Sequence, residues 1–160
     1  MGLDPIELRR VMGHFATGVT VVAAAEVGTG RPYGLTANAV ASVSLEPPLV
    51  LACVEAGSDT LPHIRRAGAF AISVLAAEQE SLARRFAAQE VTEKFSGVGY
   101  RREVTGAPIL EDVLAWVDCR LWAEYPGGDH VIFVGEVMAG DARDGAPLIF
   151  YRGGYGRFQP

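Results

Sequence analysis

The sequence predicts a mainly-β domain, a closed or nearly closed antiparallel barrel with short helices, and a two-sheet sandwich as the second choice. Six or seven stretches between Val19 and Tyr151 alternate, or run apolar, over strand lengths. Turn chemistry separates most of them, as in Gly28-Thr29-Gly30-Arg31-Pro32 and Pro126-Gly127-Gly128-Asp129. The 160 residues make one domain, 1–160, in which an open sheet of so many strands would leave exposed edges that closure removes.

Asp4-Pro5-Ile6-Glu7 opens a helix: Asp4 caps, Pro5 suits the first helical position, and Glu7 stands where a capping-box acid would. Leu8, Val11, Met12 and Phe15 then share one face, so the helix reads as amphipathic packing. Val19 to Ala25 is a buried strand. Tyr33 to Leu45 reads as one long strand, with Leu35, Ala37, Ala39, Ala41, Val43 and Leu45 on one side and Thr36, Asn38, Val40, Ser42 and Ser44 on the other. Pro47-Pro48 ends it, and Leu49 to Val54 is apolar on both faces, as a central strand should be. A helix from the caps at Ser58-Asp59-Thr60 to Gly68 and another over Glu78 to Ala88 flank the strand Phe70 to Leu75. Val113 to Tyr125 and Val131 to Ala139 form a hairpin, and Leu148 to Tyr151 is a short last strand.

Apolar residues make up 49% and charged ones 21%, the balance of an ordinary globular chain, and no apolar run approaches the ~20 residues that span a bilayer. No basic start followed by an apolar block opens the chain, and the expectation is a cytoplasmic protein without membrane association. A net charge of −5 argues against nucleic acid. Cys53 and Cys119 lie in apolar strand patterns without metal-ligand spacing and read as core residues; His14, His63 and His130 show no ligand spacing either. The chain has no P-loop, no dinucleotide-binding glycine pattern before a helix, and no G-x-S-x-G.

The positive signal is the uncharged stripe Thr36, Asn38, Ser42, Ser44, which includes the only Asn of the chain. It is either a solvated outer face or a row of neutral donors and acceptors suited to a flat heteroaromatic ligand. The helix start at Ser58-Asp59-Thr60 is a candidate for an anion, with Asp59 expected to turn outward or cap because its charge would oppose one, and Arg84, Arg85 and Lys94 are the next candidates. His130, after a tight turn, is expected at a barrel mouth, either bonded to Asp129 or able to exchange a proton with a reacting ring.

Five segments in series carry a resemblance: Phe15-Ala16-Thr17-Gly18-Val19-Thr20-Val21-Val22, Gly34-Leu35-Thr36-Ala37-Asn38 through Ser42-Val43-Ser44, Pro47-Pro48-Leu49-Val50-Leu51, Gly128-Asp129-His130, and Tyr151-Arg152-Gly153-Gly154-Tyr155. Together they resemble the short flavin reductases, the reductase components of two-component flavin-dependent monooxygenases. The resemblance implies a six-stranded Greek-key split barrel that forms a homodimer. It also implies that FMN or FAD is reduced by NADH or NADPH and passed to a separate flavin-dependent monooxygenase. By the same resemblance Thr36, Ala37, Asn38 and Ser42 would line the ring and ribityl chain, with Ala52, Cys53 and Val54 beside the ring through backbone. Ser58 and Thr60 would take the phosphate, with Arg85 and Phe86 nearby, and His130 would face the nicotinamide, with Tyr151 close to it. The rivals are a non-catalytic flavin- or haem-binding protein on the same barrel, and an unrelated barrel with a small hydrophobic ligand.

Overall fold

Asp4 starts the first helix as its position predicts. Its carboxylate accepts hydrogen bonds from the backbone N–H groups of Ile6 (2.9 Å) and Glu7 (3.0 Å), and Pro5 opens α1 (Pro5–Met12). The reciprocal capping box does not form, because Glu7 reaches forward to an ion pair with Arg10. The expectation of packing is also corrected: α1 buries none of its residues, and Ile6, Leu8, Val11, Met12 and nearby Phe15 stand exposed.

The computed structural model describes residues 2–160. After α1 come β1 (Thr17–Gly18), β2 (Thr20–Ala25), β3 (Pro32–Ala37), β4 (Val40–Leu45) and β5 (Pro48–Glu55). Helix α2 (Leu61–Ala67) leads to β6 (Ala69–Val74), and a single 3-10 turn (Ala77–Gln79) leads to α3 (Glu80–Ala87). β7 (Tyr100–Arg102) and β8 (Pro108–Leu110) pair as a small ribbon in the stretch that showed no pattern in the sequence. β9 (Ala115–Gly127) and β10 (His130–Ala142) form the long hairpin, followed by β11 (Leu148–Tyr151) and β12 (Gly154–Arg157). The main antiparallel sheet has seven strands where six were expected, in the order β3-β2-β6-β9-β10-β5-β4, and β1-β11-β12 form a separate three-stranded sheet.

The closure of this sheet is the feature that matters for function. Its two edges, β3 and β4, are consecutive in the chain and joined only by Asn38 and Ala39. The expected single strand over 33–45 is therefore broken, and the face pattern inverts at the break. Leu35 and Ala37 of β3 pack into the barrel core, but so does Val40 of β4, while Ala39 and Ala41 point away from it. A strand keeps one parity only while it stays in one sheet; a chain that leaves one edge and enters the other at a bend can exchange its faces. A bulge between Ser42 and Ser44 disrupts the alternation again, leaving Val43 and Leu45 exposed.

Val22, Ala24, Ala52, Val54, Phe70, Ile72, Cys119 and Phe133 fill the barrel, with Leu61 and Ile64 of α2 in the same cluster. The intervening residues Val21 and Ala23 of β2 face outward and are covered by Ala83 and Phe86 of α3, by Phe95 and by Leu148. That double cover explains why Val19 to Ala25 reads as apolar on both sides. The packing requires Gly135: a Cβ there would lie 2.6 Å from Phe70 Cζ and 2.7 Å from Cys119 Cβ. Gly135→Ala is expected to destabilise the fold by about 1–3 kcal/mol, read as a lower urea midpoint with an unchanged denaturant slope.

Candidate functional site

Two cavities flank the break between β3 and β4. The outer shelf, about 680 Å³, is lined by Met12, Phe15, Thr17, Asn38, Val40, Leu51 and Cys53 among others. The second, about 470 Å³, lies against α3 and is lined by Thr36, Glu55, Ser58, Phe86 and Lys94 among others. Asn38 and Cys53 belong to the shelf, while Thr36 and Glu55, two residues away on the same two segments, belong to the second cavity. Residues i and i+2 of a strand share a face, so the two segments lead from one cavity to the other. The arrangement suits an elongated ligand with a flat head on the shelf and a polar tail against α3. A third cavity of about 600 Å³, lined by Arg9, Arg10, Phe150 and Arg152, shares Met12, Phe15 and Asn38 with the shelf.

The shelf is mostly apolar with few polar groups; the Thr20 hydroxyl is committed to the Ala37 carbonyl at 2.6 Å, while two others are not. Asn38 makes no hydrogen bond within the described residues, and the buried hydroxyl of Thr17 has none either. A buried polar atom without a partner costs free energy unless a ligand or water supplies one. An apolar floor with unpartnered neutral groups at its edge fits a tricyclic ring whose rim carries nitrogens and carbonyls. Cys53 is not the core residue the sequence suggested: its side chain faces this shelf, and partial burial raises its thiol pKa. Cys119 is in the core, its thiol pushed up to about 12 by burial and by the neighbouring Asp118. A thiol so raised stays protonated, so neither cysteine has the environment of a nucleophile.

The residues expected to form one stripe do not do so. The Thr36 hydroxyl donates to the Ala83 carbonyl of α3 at 2.6 Å and lines the second cavity, while Asn38 lies at the bend. Ser42 pairs with Val50 two residues beyond the Val40–Ala52 pair, so it has the parity of the core face, yet it is exposed and lines none of these cavities. Ala37 is buried in the core. Ala52 and Val54 also turn their side chains into the core, and Ala52 is paired in the ladder on both sides, with Val40 and with Phe133. The β4 ladder ends at the Val40–Ala52 pair and the Cys53 N–H donates to Ala39 O, so β4 does not pair the backbone of Val54 and Glu55.

The anion end also differs from expectation. Ser58 lines the second cavity and its oxygen accepts from the Leu61 N–H at 3.2 Å, so Ser58, not Thr60, caps α2. Thr60 is fully buried, its hydroxyl unpartnered, and it does not line the cavity. Arg85 is spent on structure: its guanidinium donates to the carbonyls of Lys94 (2.6 Å), Glu93 (2.9 Å) and Ser96 (3.0 Å), clamping the segment after α3. The cation at the cavity is Lys94, held by a 2.9 Å bond from Nζ to Phe86 O. Phe86 has no exposed surface and packs edge-on to Phe95 at a centroid distance of 4.9 Å.

His130 follows a two-residue turn with Gly128 at φ +72° in its first central position, which only glycine adopts readily. The turn leaves the ring at the barrel mouth, half exposed, with Nδ1 2.8 Å from an Asp129 carboxylate oxygen. That contact holds the Asp129 carboxyl below its ordinary range. With Nδ1 so engaged, Nε2 is free. His130 is paired across the sheet with Glu55, so the ring lies on the same face as a wall of the second cavity. The aromatic neighbour of Tyr151 is His14, at 6.2 Å and edge-on, where the Arg152 N–H donating to Gly13 O ties the β11–β12 hairpin to the end of α1. Met12, Phe15 and Thr17 were missed as lining residues; the available signal was Phe15-Ala16-Thr17-Gly18 itself, which carries no ligand chemistry until it is folded against Asn38.

A model of the flavin reductase-like domain matches residues 12–159. The chain belongs to the flavin reductase-like family. It is 42% identical over 158 residues to a flavin reductase of Pseudomonas putida, covering 98% of this chain and 91% of that one. It is 44% identical to the reductase component of a 4-nitrophenol 4-monooxygenase/4-nitrocatechol 2-monooxygenase of Rhodococcus opacus, covering 99% and 83%. Among solved structures, the Streptomyces globisporus NADH:FAD oxidoreductase in complex with NAD and FAD fragments superposes with a TM-score of 0.90 at 39% identity, over 100% and 98% of the two chains. For this flavin reductase-like protein the overall fold is thus shared with the family, and the break and the shelf beside it lie within the matched residues.

Proposed function

We propose that this chain is an NAD(P)H-dependent flavin reductase that reduces FMN or FAD and releases the reduced flavin to a separate flavin-dependent monooxygenase. The observation that carries this reading is the path from an uncharged, mostly apolar shelf to a cavity holding Ser58 and Lys94. Asn38 and the Thr17 hydroxyl are placed to bond the rim of a ring, and Thr36 and the backbone of Cys53 to Glu55 border the way to the tail. Ser58 and Lys94 would hold the phosphate, with Phe86 packed behind them. The chemistry a bound flavin supplies is acceptance of a hydride from a reduced nicotinamide. The work of the chain is to hold the ring by one side, leave the other side open, and exclude water with Met12, Phe15, Val40 and Leu51. His130, its Nδ1 fixed by Asp129, presents Nε2 to position the nicotinamide or hold a proton there. Comparing NADH or NADPH consumption under air with FMN and with FAD tests the assignment: flavin-dependent turnover is expected, and none with any of the four combinations would sink it.

The functional unit in this reading is a cytoplasmic homodimer. No helix of the described residues is long and apolar enough to cross a membrane. Support for the dimer comes from α1, whose apolar stripe of Leu8, Val11, Met12 and Phe15 has nothing over it, together with Val43 and Leu45 on the outer part of β4. Val11→Asp is expected to shift the protein towards monomer in sedimentation velocity, because a charge in an apolar interface loses its water without gaining a partner. A monomeric wild type, or a Val11→Asp protein still fully dimeric, would count against it.

A further inference from the structure

Two cavities neighbour the shelf, and each holds cations. The cavity against α3 has Lys94; the third cavity, about 600 Å³, has Arg9, Arg10 and Arg152. No carboxylate among the described residues lines this third cavity, although the chain as a whole carries a net charge of −5. Arg10 is occupied by its ion pair with Glu7. The guanidinium groups of Arg9 and Arg152 have neither a hydrogen-bond nor an ion-pair partner among the described residues.

Arg152 sits in a backbone conformation that its side chain does not favour. With Gly153 it makes the two-residue turn of the β11–β12 hairpin, and both residues have positive φ, +50° and +78°. A turn of that kind favours Asn-Gly or Gly-Gly, and a long side chain at its first position is strained. The Arg152 N–H donates to Gly13 O at 2.9 Å, which fixes the turn against the end of α1, the helix that carries Arg9. Strain that supports an unpartnered guanidinium at a cavity points to a ligand contact.

A reaction between a flavin and a reduced nicotinamide dinucleotide brings two phosphate-bearing molecules to one ring. The flavin phosphate has the α3 cavity. We propose that Arg9 and Arg152 clamp the diphosphate of the hydride donor in the third cavity, which opens onto the shelf through the shared residues Met12, Phe15 and Asn38. The inference rests on the flavin reading above. Guanidinium forks match phosphate oxygens in pairs, so two of them suit a diphosphate, and Ile6 and Phe150 beside them suit an adenine.

The test compares wild type with Arg152→Asn, Arg9→Gln/Arg152→Asn and Arg10→Gln. At saturating flavin and low salt the KM for NADH is expected to rise about 5- to 10-fold in Arg152→Asn and about 20- to 50-fold in the double variant, with kcat changed less than about twofold and a smaller rise at high salt. ADP-ribose, which has the diphosphate and no nicotinamide, is expected to bind the intact wild type in calorimetry and to weaken in the same proportion. Asn suits positive φ, so the urea midpoint of Arg152→Asn should equal or exceed that of wild type. Arg10→Gln should change KM less than about twofold. An unchanged KM in the double variant, an equal effect from Arg10→Gln, or a raised KM that comes with a lower urea midpoint in Arg152→Asn would overturn the inference. So would a loss of FAD affinity without loss of FMN affinity, which would give the arginines to the diphosphate of the flavin. Absence of both flavin binding and flavin-dependent turnover in the folded wild type would instead remove the flavin reading and this inference with it.

Discussion

Replacing His130 with alanine is expected to slow reduction of bound flavin by NADH by about 10- to 100-fold, within the range that a positioned acid–base side chain commands. Flavin binding should survive, because His130 lines neither cavity; the defect should appear in single-turnover mixing with NADH. The Asp129 contact makes a second, weaker prediction. The imidazole keeps this carboxyl ionised below its ordinary range, so the pair is intact at neutral pH and loses the carboxylate only as pH falls through that lowered value. Asp129→Asn should therefore reduce the rate at neutral pH by less than His130→Ala does, and the profiles of wild type and Asp129→Asn should converge as pH falls through that lowered carboxyl value. A His130→Ala protein that reduces flavin at the wild-type rate would remove the residue from the mechanism. One that has lost flavin while remaining folded would show that its role is binding.

The second large effect is expected at the shelf. Asn38→Leu combined with Thr17→Val removes the two neutral groups that line the shelf without an internal partner and that would bond the ring edge in this reading. Each lost hydrogen bond leaves a polar atom of the ring facing hydrocarbon, at about 1–1.5 kcal/mol apiece, so the flavin dissociation constant should rise about 30- to 150-fold. The fold should tolerate the change: Asn38 is exposed at a bend, and Thr17 loses a hydroxyl that bonds to nothing in the chain. Unfolding in urea measures that tolerance alongside the titration. Unaltered flavin affinity in a stable double variant would mean that the ring is held elsewhere.

Much of the scaffold is legible in the residues, because local chemistry determines it. Asp4 before Pro5, Gly68 after α2 at φ +61°, and Gly128 in the β9–β10 turn each announce an element end that the structure keeps. The break at Asn38–Ala39 is not announced. No Gly or Pro marks it, and the alternation of Leu35 to Leu45 continues through it in letters while the side chains change faces in space. What makes the break is global, the need of a seven-stranded sheet to join its own edges. The site residues divide in the same way. Asn38, Ser58 and His130 follow from residue type and position, whereas a long cation can reach several targets, and only the fold shows that Arg85 holds carbonyls while Lys94 lines the cavity. Exposure of the α1 stripe likewise depends on what the rest of the chain leaves uncovered.

A crystal structure of the protein soaked with FAD tests the central claim most directly. The tricyclic ring is expected on the shelf within hydrogen-bond reach of Asn38 and Thr17, one side against Met12, Phe15 or Cys53 and the other open, with the diphosphate entering the cavity of Ser58 and Lys94. Density for the ring in any other cavity, with the shelf bare and Asn38 bonded only to water, would contradict it.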